Sequence, residues 1–495
     1  MAEKAQLGFM DRWKDVLLRV AAVPFVFFGV GLYRAWLATF FRYDAFPGIT
    51  VFDYFLFEGA IGVVSLALAF CARRVAPLWA NRTAVMLTGA SMVGGSLLIV
   101  VSCFLVPLEA LKVVGLLLAG GGLGSLILMW AEFYGSLNPM RVALYHAMAI
   151  FVGEVVKWLF MGMSVPYLAF FAVVLPLVCL ACVRSSMRRL PERDLPRAMR
   201  DGDLKTIPWK PILLMAVCTF AAAFGALPTQ SLVLGNVVGA LFVTALVFFG
   251  VLSASRWFNF DTIYQLAFPL FIVGFLFVMP TFGGSGQIMA LCYDAGYTML
   301  SMYIMIVMSN ITYRFGVNAV WINGIERGIR YLVELVGWLT LAGASANYGA
   351  EATGIIYNVI AVAVVLAFLV IFFTERGLSA KWGLVLTDDQ LESAPAEGRL
   401  ATRVSDLSHV YNLSPREEEV LQLLAQRSTV AEIEEVLYVS QGTVKAHVNH
   451  IYRKLGIHSK AELFELLDSP EKPVRGPRVK RASTFNPDDE QVAVD

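Results

Sequence analysis

The chain has 495 residues, 58% of them hydrophobic and only 16% charged, with a mean hydropathy of +0.67. Soluble domains carry about 25% charged residues, so this composition excludes an ordinary soluble protein. The formal net charge of +1 averages an apolar region and a polar one, and so carries no information about nucleic acid. Cys71, Cys103, Cys179, Cys182, Cys218 and Cys292 all lie in or beside apolar runs, which implies no disulfide framework. Cys179 and Cys182 form a CxxC inside the run YLAFFAVVLPLVCLACV, where polar groups to orient a zinc ion or tune a redox pair are missing. The sequence contains no P-loop and no nucleophile elbow, so neither an enzyme nor a cofactor is expected.

In chain order, Lys4, Arg12, Lys14 and Arg19 precede a long apolar run without a cleavage site, which reads as a retained first span. About twelve such runs follow one another, near 16–40, 52–71, 84–106, 109–130, 141–162, 165–183, 211–228, 232–254, 262–280, 286–309, 318–343 and 352–374. With the amino terminus inside, the cytoplasmic linkers hold Arg73, Arg74, Arg82, Arg141, Arg256 and Arg314. The linker after the sixth span adds Arg184, Arg188, Arg189, Arg193, Arg197, Arg200, Lys205 and Lys210, against little beyond Arg42 and Lys112 on the opposite side. This bias orients a multi-pass protein of the cytoplasmic (inner) membrane with both termini in the cytoplasm.

Charges inside spans are costly and often functional. Glu154 and Lys157 are three apart on the fifth span and share a face. Glu132, with Trp130 and Tyr134, closes the fourth. In the eleventh, Asn318, Trp321, Asn323, Glu326, Arg327, Arg330 and Glu334 draw a polar stripe, and Glu58 and Asp294 are isolated acids. Two readings stand side by side: paired structural charges, or a water-accessible cavity for a small-molecule ligand lined by Glu132, Glu154, Lys157, Trp321, Glu326 and Arg330. The layout of six spans, a long basic cytoplasmic linker and six more spans over residues 1–374 resembles the major facilitator superfamily. That resemblance implies pseudo-symmetric halves with a ligand site near the midplane. Of the superfamily's signature between spans two and three, the segment CARRVAPLWANR keeps the arginines but not the glycine or aspartate.

Residues 375–412 read as a linker with a short helix near 399–410, and residues 469–495 as a disordered tail. Between them, residues 413–468 carry a run of helix signals. Ser414 caps a helix that opens on Pro415 and the acids Glu417, Glu418 and Glu419, with Val420, Leu421, Leu423 and Leu424 on its apolar face. A second helix near 430–437 buries Val430, Ile433, Val436 and Leu437. Ser440 caps a third, 441–455, whose inward row is Val444, Val448, Ile451 and Leu455. Its other side shows Thr443, Lys445, Ala446, His447, Asn449 and Arg453, and a fourth helix starts at Ser459. Two short helices, a tight turn and a polar-faced third form a helix-turn-helix.

The elements Leu413-Ser414-Pro415-Arg416-Glu417, Thr443-Val444-Lys445, His447 and Ile451-Tyr452-Arg453-Lys454-Leu455-Gly456 resemble the LuxR-type domain. The resemblance implies that the third helix enters the major groove. Ser440, Thr443, Val444, Lys445, Ala446, His447, Asn449, Arg453 and Lys454 would form the DNA-binding segment, with Lys445 and Asn449 at base edges. Glu417, Leu421, Ile433 and Leu437 would hold the helices, and the fourth helix would support a homodimer on promoter DNA. Arg427 stands where the family commonly has glycine, and Glu434 where it commonly has a small residue. Acids outnumber bases between Leu413 and Asp468, which predicts salt-dependent binding helped by dimerisation or tethering.

The expected fold is all-α: a polytopic membrane bundle joined to a four-helix DNA-binding domain. The expected partners are double-stranded promoter DNA, the lipid bilayer and a small molecule. The expected function is a membrane-embedded one-component regulator. The alternative is a secondary transporter that also regulates transcription, or one whose carboxy-terminal domain serves only in protein contact.

Overall fold

A computed structural model describes most of residues 23–190, 207–252, 286–349 and 403–468. It divides into two compact units, Met1–Ser393 and Ala394–Asp495, each with its own apolar core. In the first, a tight 3-10 stretch, Phe25–Gly31, runs into α1 (Leu32–Phe41). There follow α2 (Val51–Phe70), the short α3 (Ala72–Val75), α4 (Arg82–Phe104), α5 (Glu109–Gly135), α6 (Pro139–Phe160) and α7 (Val165–Arg189). Then come α8 (Trp209–Thr229), α9 (Val233–Leu252), α10 (Gly286–Phe315) and α11 (Ala319–Tyr348).

Among the described residues, six helices are long and apolar enough to cross a membrane, on α2, α4, α5, α6, α7 and α10. Shorter apolar stretches lie on α8, α9 and the Phe25–Phe41 segment. The 30-residue α11 has the length, but it carries Glu326, Arg327, Arg330 and Glu334. Most of the spans expected at 262–280 and 352–374 and all of the tail at 469–495 lie outside the described residues, as does nearly all of the linker before residue 403.

Local signals set where helices begin. Thr50 and Asp53 form a capping box for α2, with the Thr50 N–H donating to Asp53 Oδ2 at 2.7 Å. Asn81 Oδ1 accepts from the Thr83 and Ala84 amides at the start of α4, and Asn318 does the same for Val320 and Trp321 at the start of α11.

The packing of the helices reveals an internal repeat. Within the first half α1 packs on α6 and α2 on α5; within the second, α8 packs on α11 and α9 on α10. The halves meet where α2 lies on α11 and α6 on α9, and where α5 touches α11 and α6 touches α10. Exchanging α1, α2, α5 and α6 for α8, α9, α10 and α11 carries every one of these pairings onto another. Two like halves related by a twofold axis produce that pattern. Small residues allow the close crossings, since a Cβ on Gly324 of α11 would stand 2.7 Å from the Ser65 carbonyl of α2. Gly31 and Gly153 make a tighter contact still, each blocked by the other's helix backbone.

The second unit consists of α12 (Pro415–Ala425), α13 (Val430–Leu437), α14 (Gln441–Leu455) and α15 (Lys460–Asp468) around a core that includes Val420, Leu421, Ile433, Val444, Ile451 and Leu463. Val404 and Leu407, upstream of the segment singled out from sequence, are fully buried in the same core. A domain this small needs every apolar side chain it can enclose, so the core draws on the preceding helical turns. Each helix starts on a hydroxyl cap. Ser414 with Glu417 and Thr429 with Glu432 are reciprocal boxes; Ser459 Oγ accepts the Glu462 amide while the Glu462 carboxylate accepts the Ser459 hydroxyl and the His458 amide; and Ser440 Oγ accepts from the Thr443 amide at 3.3 Å. Gly456, at φ +70°, supplies the left-handed turn that ends α14.

Candidate nucleic-acid interface and buried charge network

Helix α14 presents a polar face built by its own periodicity. Val444, Ile451 and Leu455 are buried against α12 and α13, which turns Gln441, Thr443, Lys445, Ala446, Asn449 and Arg453 outward. Ser440, also exposed, caps the helix and pairs its hydroxyl with that of Thr443 at 2.8 Å. His447 is half-buried; burial, with Arg416 adding to it, holds its imidazole below the ordinary range, so it is neutral at pH 7. The outward side chains lie one turn apart and span a surface that a groove can accept.

Two members of the predicted DNA-binding segment have other tasks. Val444 is completely buried, so it supports α14 from within the core and cannot touch a base. Lys454 donates to Glu417 Oε2 at 2.6 Å and to the Asn412 carbonyl at 3.1 Å, so its ammonium ties α14 to the start of α12. Glu417 thus closes its own capping box and braces the third helix. Leu421, Ile433 and Leu437 lie in the core, and Arg416 Nη2 donates to the Leu437 carbonyl at 2.8 Å, linking α12 to the end of α13.

The Glu417 brace makes a pH prediction. Burial alone would raise its carboxyl pKa, but the Lys454 ammonium and the Ser414 amide outweigh it and hold the group below the usual carboxylate range. A carboxylate depressed in the folded state contributes stability above its unfolded pKa of about 4.3 and loses it as pH falls further. Glu417→Gln keeps the capping geometry and removes the charge. The loss expected at pH 7 is about 1–2 kcal/mol, below the full charged-hydrogen-bond range because Lys454 is partly exposed. Thermal melts of the carboxy-terminal unit at pH 7 and pH 3 check this: the gap between wild type and variant narrows at pH 3. An equal gap at both values means that the ionised carboxylate contributes nothing.

In the membrane unit the sequence-predicted cavity residues divide into three groups. Glu154 accepts from Lys157 one turn along α6 and from Arg34 Nε of α1 at 2.6 Å. The Gly31–Gly153 crossing brings those two helices close enough for the second contact. Arg34 Nη2 also reaches α10, lying 3.4 Å from Thr298 Oγ1 and 3.8 Å from Asp294 Oδ2. Arg34 was not singled out from the sequence, where the available signal was an arginine placed well inside an apolar run. Glu326, Arg327 and Arg330 cluster on α11, with Glu326 carboxylate oxygens 3.2 Å from Arg327 Nε and 3.7 Å from Arg330 Nη1. Arg330 also lies over the Tyr331 ring at 4.9 Å. Trp321 packs into the apolar core in the first turn of α11.

Glu132 binds main chain. Its Oε1 accepts the Leu78 amide at 2.8 Å and its Oε2 the Trp79 amide at 3.1 Å, so both oxygens are occupied by the backbone between α3 and α4. The buried carboxylate fastens that connection, a role invisible in sequence because its partners are main-chain groups. Glu132→Gln keeps one acceptor and turns an NH2 toward the other amide. We expect hydrogen exchange at Leu78 and Trp79 to accelerate by an amount equivalent to about 1–3 kcal/mol of opening free energy. Unchanged protection at both amides would remove this role.

Comparison with known proteins identifies the second unit. Residues 411–467 match the family "Bacterial regulatory proteins, luxR family". Over 53 residues the chain is 53% identical to the oxygen regulatory protein NreC of Staphylococcus aureus strains JH9 and USA300, covering 11% of this chain and 24% of each relative. The chain therefore spans about a quarter of the length of these relatives. The carboxy-terminal unit is a LuxR-type helix-turn-helix domain. Among solved structures, the human organic anion transporter MFSD10 (TETRAN) is similar at a TM-score of 0.49 and 13% identity, over 69% of this chain and 97% of that one. The major facilitator superfamily transporter FucP in its outward conformation is similar at a TM-score of 0.43 and 13% identity, over 71% and 98% of the two chains.

Proposed function

We propose that the chain is a membrane-embedded one-component transcriptional regulator. In this reading residues 1–374 sense a small molecule or a membrane state, residues 375–412 connect, and residues 413–468 bind promoter DNA as a homodimer. The observation that carries it is the outward polar face of α14 on a LuxR-type domain, encoded in one chain with a many-helix apolar unit. Lys445 and Asn449 read base edges. Ser440, Thr443 and Arg453 hold phosphates, and Ala446 and His447 complete the contact surface. The arginine bias of the linkers supports an inner-membrane orientation with both termini in the cytoplasm, where DNA is. A ligand acts by binding one arrangement of the two membrane halves better than the other, and so shifts how two DNA-binding domains pair.

The Arg34 link between halves also favours a second reading, a transporter with a regulatory carboxy-terminal domain, since such a protein must make and break contacts of that kind. Chromatin capture of the full-length protein decides the first. Promoter sites enriched by wild type and lost on Lys445→Ala/Asn449→Ala support the regulator, and an absence of any enriched site argues against it. Uptake of a labelled compound into vesicles would establish the second.

A further inference from the structure

We propose that the outward faces of α4 and α7 bind the phosphate of an anionic phospholipid through Arg82, Arg184 and Arg188. This site requires only that the apolar unit lies in a bilayer, and it stands apart from the regulator reading. Among the six described spans these two helices are the most open: 28% of the apolar stretch of each is buried, against at least 50% on the other four. Acyl chains must cover what the protein leaves bare. On α7 the exposed row runs Leu177, Ala181, Arg184 and Arg188; on α4 it runs Arg82, Met86, Ala90 and Leu97. Spacings of three, four and seven keep each row on one helix face. Each row is therefore apolar along the span and ends on arginine.

Packing brings those ends together. Trp36 Nε1 donates to Ser96 Oγ of α4 at 3.2 Å and to the Ala172 carbonyl of α7 at 2.7 Å. A Cβ on Gly89 of α4 would stand 3.2 Å from Leu180 Cδ2 of α7. Going from the first contact to the second moves back along α4 and forward along α7, so the two helices are antiparallel. At about 1.5 Å per residue, Arg82 lies roughly 10 Å beyond the second contact, between Arg184 at roughly 6 Å and Arg188 at roughly 12 Å. Among the described residues no ion pair engages any of the three. The sequence has no acid from Cys71 to Leu108 or from Trp158 to Pro191. Residues 191–205 hold four acids and four bases, so that stretch brings no surplus negative charge. Arg82 also opens α4, where the helix dipole disfavours a cation, and Arg184 and Arg188 repel each other across one turn. An external anion relieves both. Guanidinium forks match the paired oxygens of a phosphate. A phospholipid brings that phosphate together with acyl chains for the apolar rows beside it, which a soluble anion does not.

The test counts lipids bound to the purified full-length protein by native mass spectrometry, titrating phosphatidylglycerol or phosphatidylethanolamine of matched acyl chains into the micelles. Phosphatidylglycerol is expected to bind at least roughly tenfold more tightly, each arginine contributing about fivefold. Arg82→Gln/Arg184→Gln/Arg188→Gln should abolish the preference. Arg193→Gln/Arg197→Gln/Arg200→Gln, which removes the same charge from the following linker, should leave it intact. Equal binding of the two lipids by the wild type overturns the proposal. So does an equal loss in both triple variants, which would mean attraction by overall charge, or displacement of the lipid by an equal concentration of glycerol 3-phosphate, which would mean a site for soluble anions. Arg184→Gln alone should weaken phosphatidylglycerol about fivefold, and it keeps the assignment open to refutation if the first triple variant fails to fold.

Discussion

Lys445→Ala/Asn449→Ala is expected to erase promoter occupancy by the full-length protein while its amount in the membrane stays unchanged. Each side chain placed on a base edge contributes about 1–3 kcal/mol of discrimination, so the pair removes about 2–6 kcal/mol. Specific sites typically exceed non-specific DNA by about 4–10 kcal/mol, so such a loss leaves the genome's competing sites in command. Folding should survive, because both positions are exposed on α14 and alanine favours a helix. Two controls separate recognition from support. Arg453→Ala, at a position proposed to hold a phosphate, should weaken binding to all sequences alike and reduce the salt slope by about one. Val444→Ala should instead destabilise the domain by roughly 1–3 kcal/mol, because it opens a hole in the core. Chromatin capture beside a thermal melt of each variant distinguishes the three. Sites that persist at wild-type strength in the double variant would exclude Lys445 and Asn449 as the readers of sequence.

The helix-turn-helix was legible because its instructions are local. Ser414, Ser440 and Ser459 lie immediately before the helices they cap, and the inward row of α14 recurs at helical spacing. Thr429 went unnoticed although it sits three residues before Glu432 in the same pattern. Val444 shows the limit of reading by segment: its spacing put it in the core even as its neighbours marked it for DNA. The membrane network was legible only in part, for a physical reason. Glu154 and Lys157 are neighbours along one helix, whereas Arg34 meets Glu154 across 120 positions and Thr298 across 264. No periodicity reports such a pair; the packing of α1, α6 and α10 creates it. Val404 and Leu407 were missed because a short apolar pair outside the main run gives no hint of which core will enclose it.

Glu154→Gln is expected to be the most damaging single conservative change in the membrane unit. One carboxylate there answers two cations, and glutamine of nearly equal shape leaves both Arg34 and Lys157 charged and short of a partner. Removing one member of a buried ion pair costs about 3–5 kcal/mol, most of it the burial of the charge left behind. The lower end applies, because Lys157 lies in the last turn of α6 and its long stem lets the ammonium reach toward the interface. Arg34 has one remaining acid, Asp294 at 3.8 Å, and must lean on it. The combination Glu154→Gln/Asp294→Asn should therefore lose more than the sum of its parts, by a coupling of about 0.5–3 kcal/mol, because only together do they strip Arg34 of both its countercharges among the described residues. Glu326→Gln should cost less, since its contacts with Arg327 and Arg330, at 3.2 and 3.7 Å, are longer. Thermal unfolding of the detergent-purified variants measures all four. Strict additivity between Glu154→Gln and Asp294→Asn would mean that Arg34 does not couple the two halves, and the sensing reading would then need another bridge across their interface.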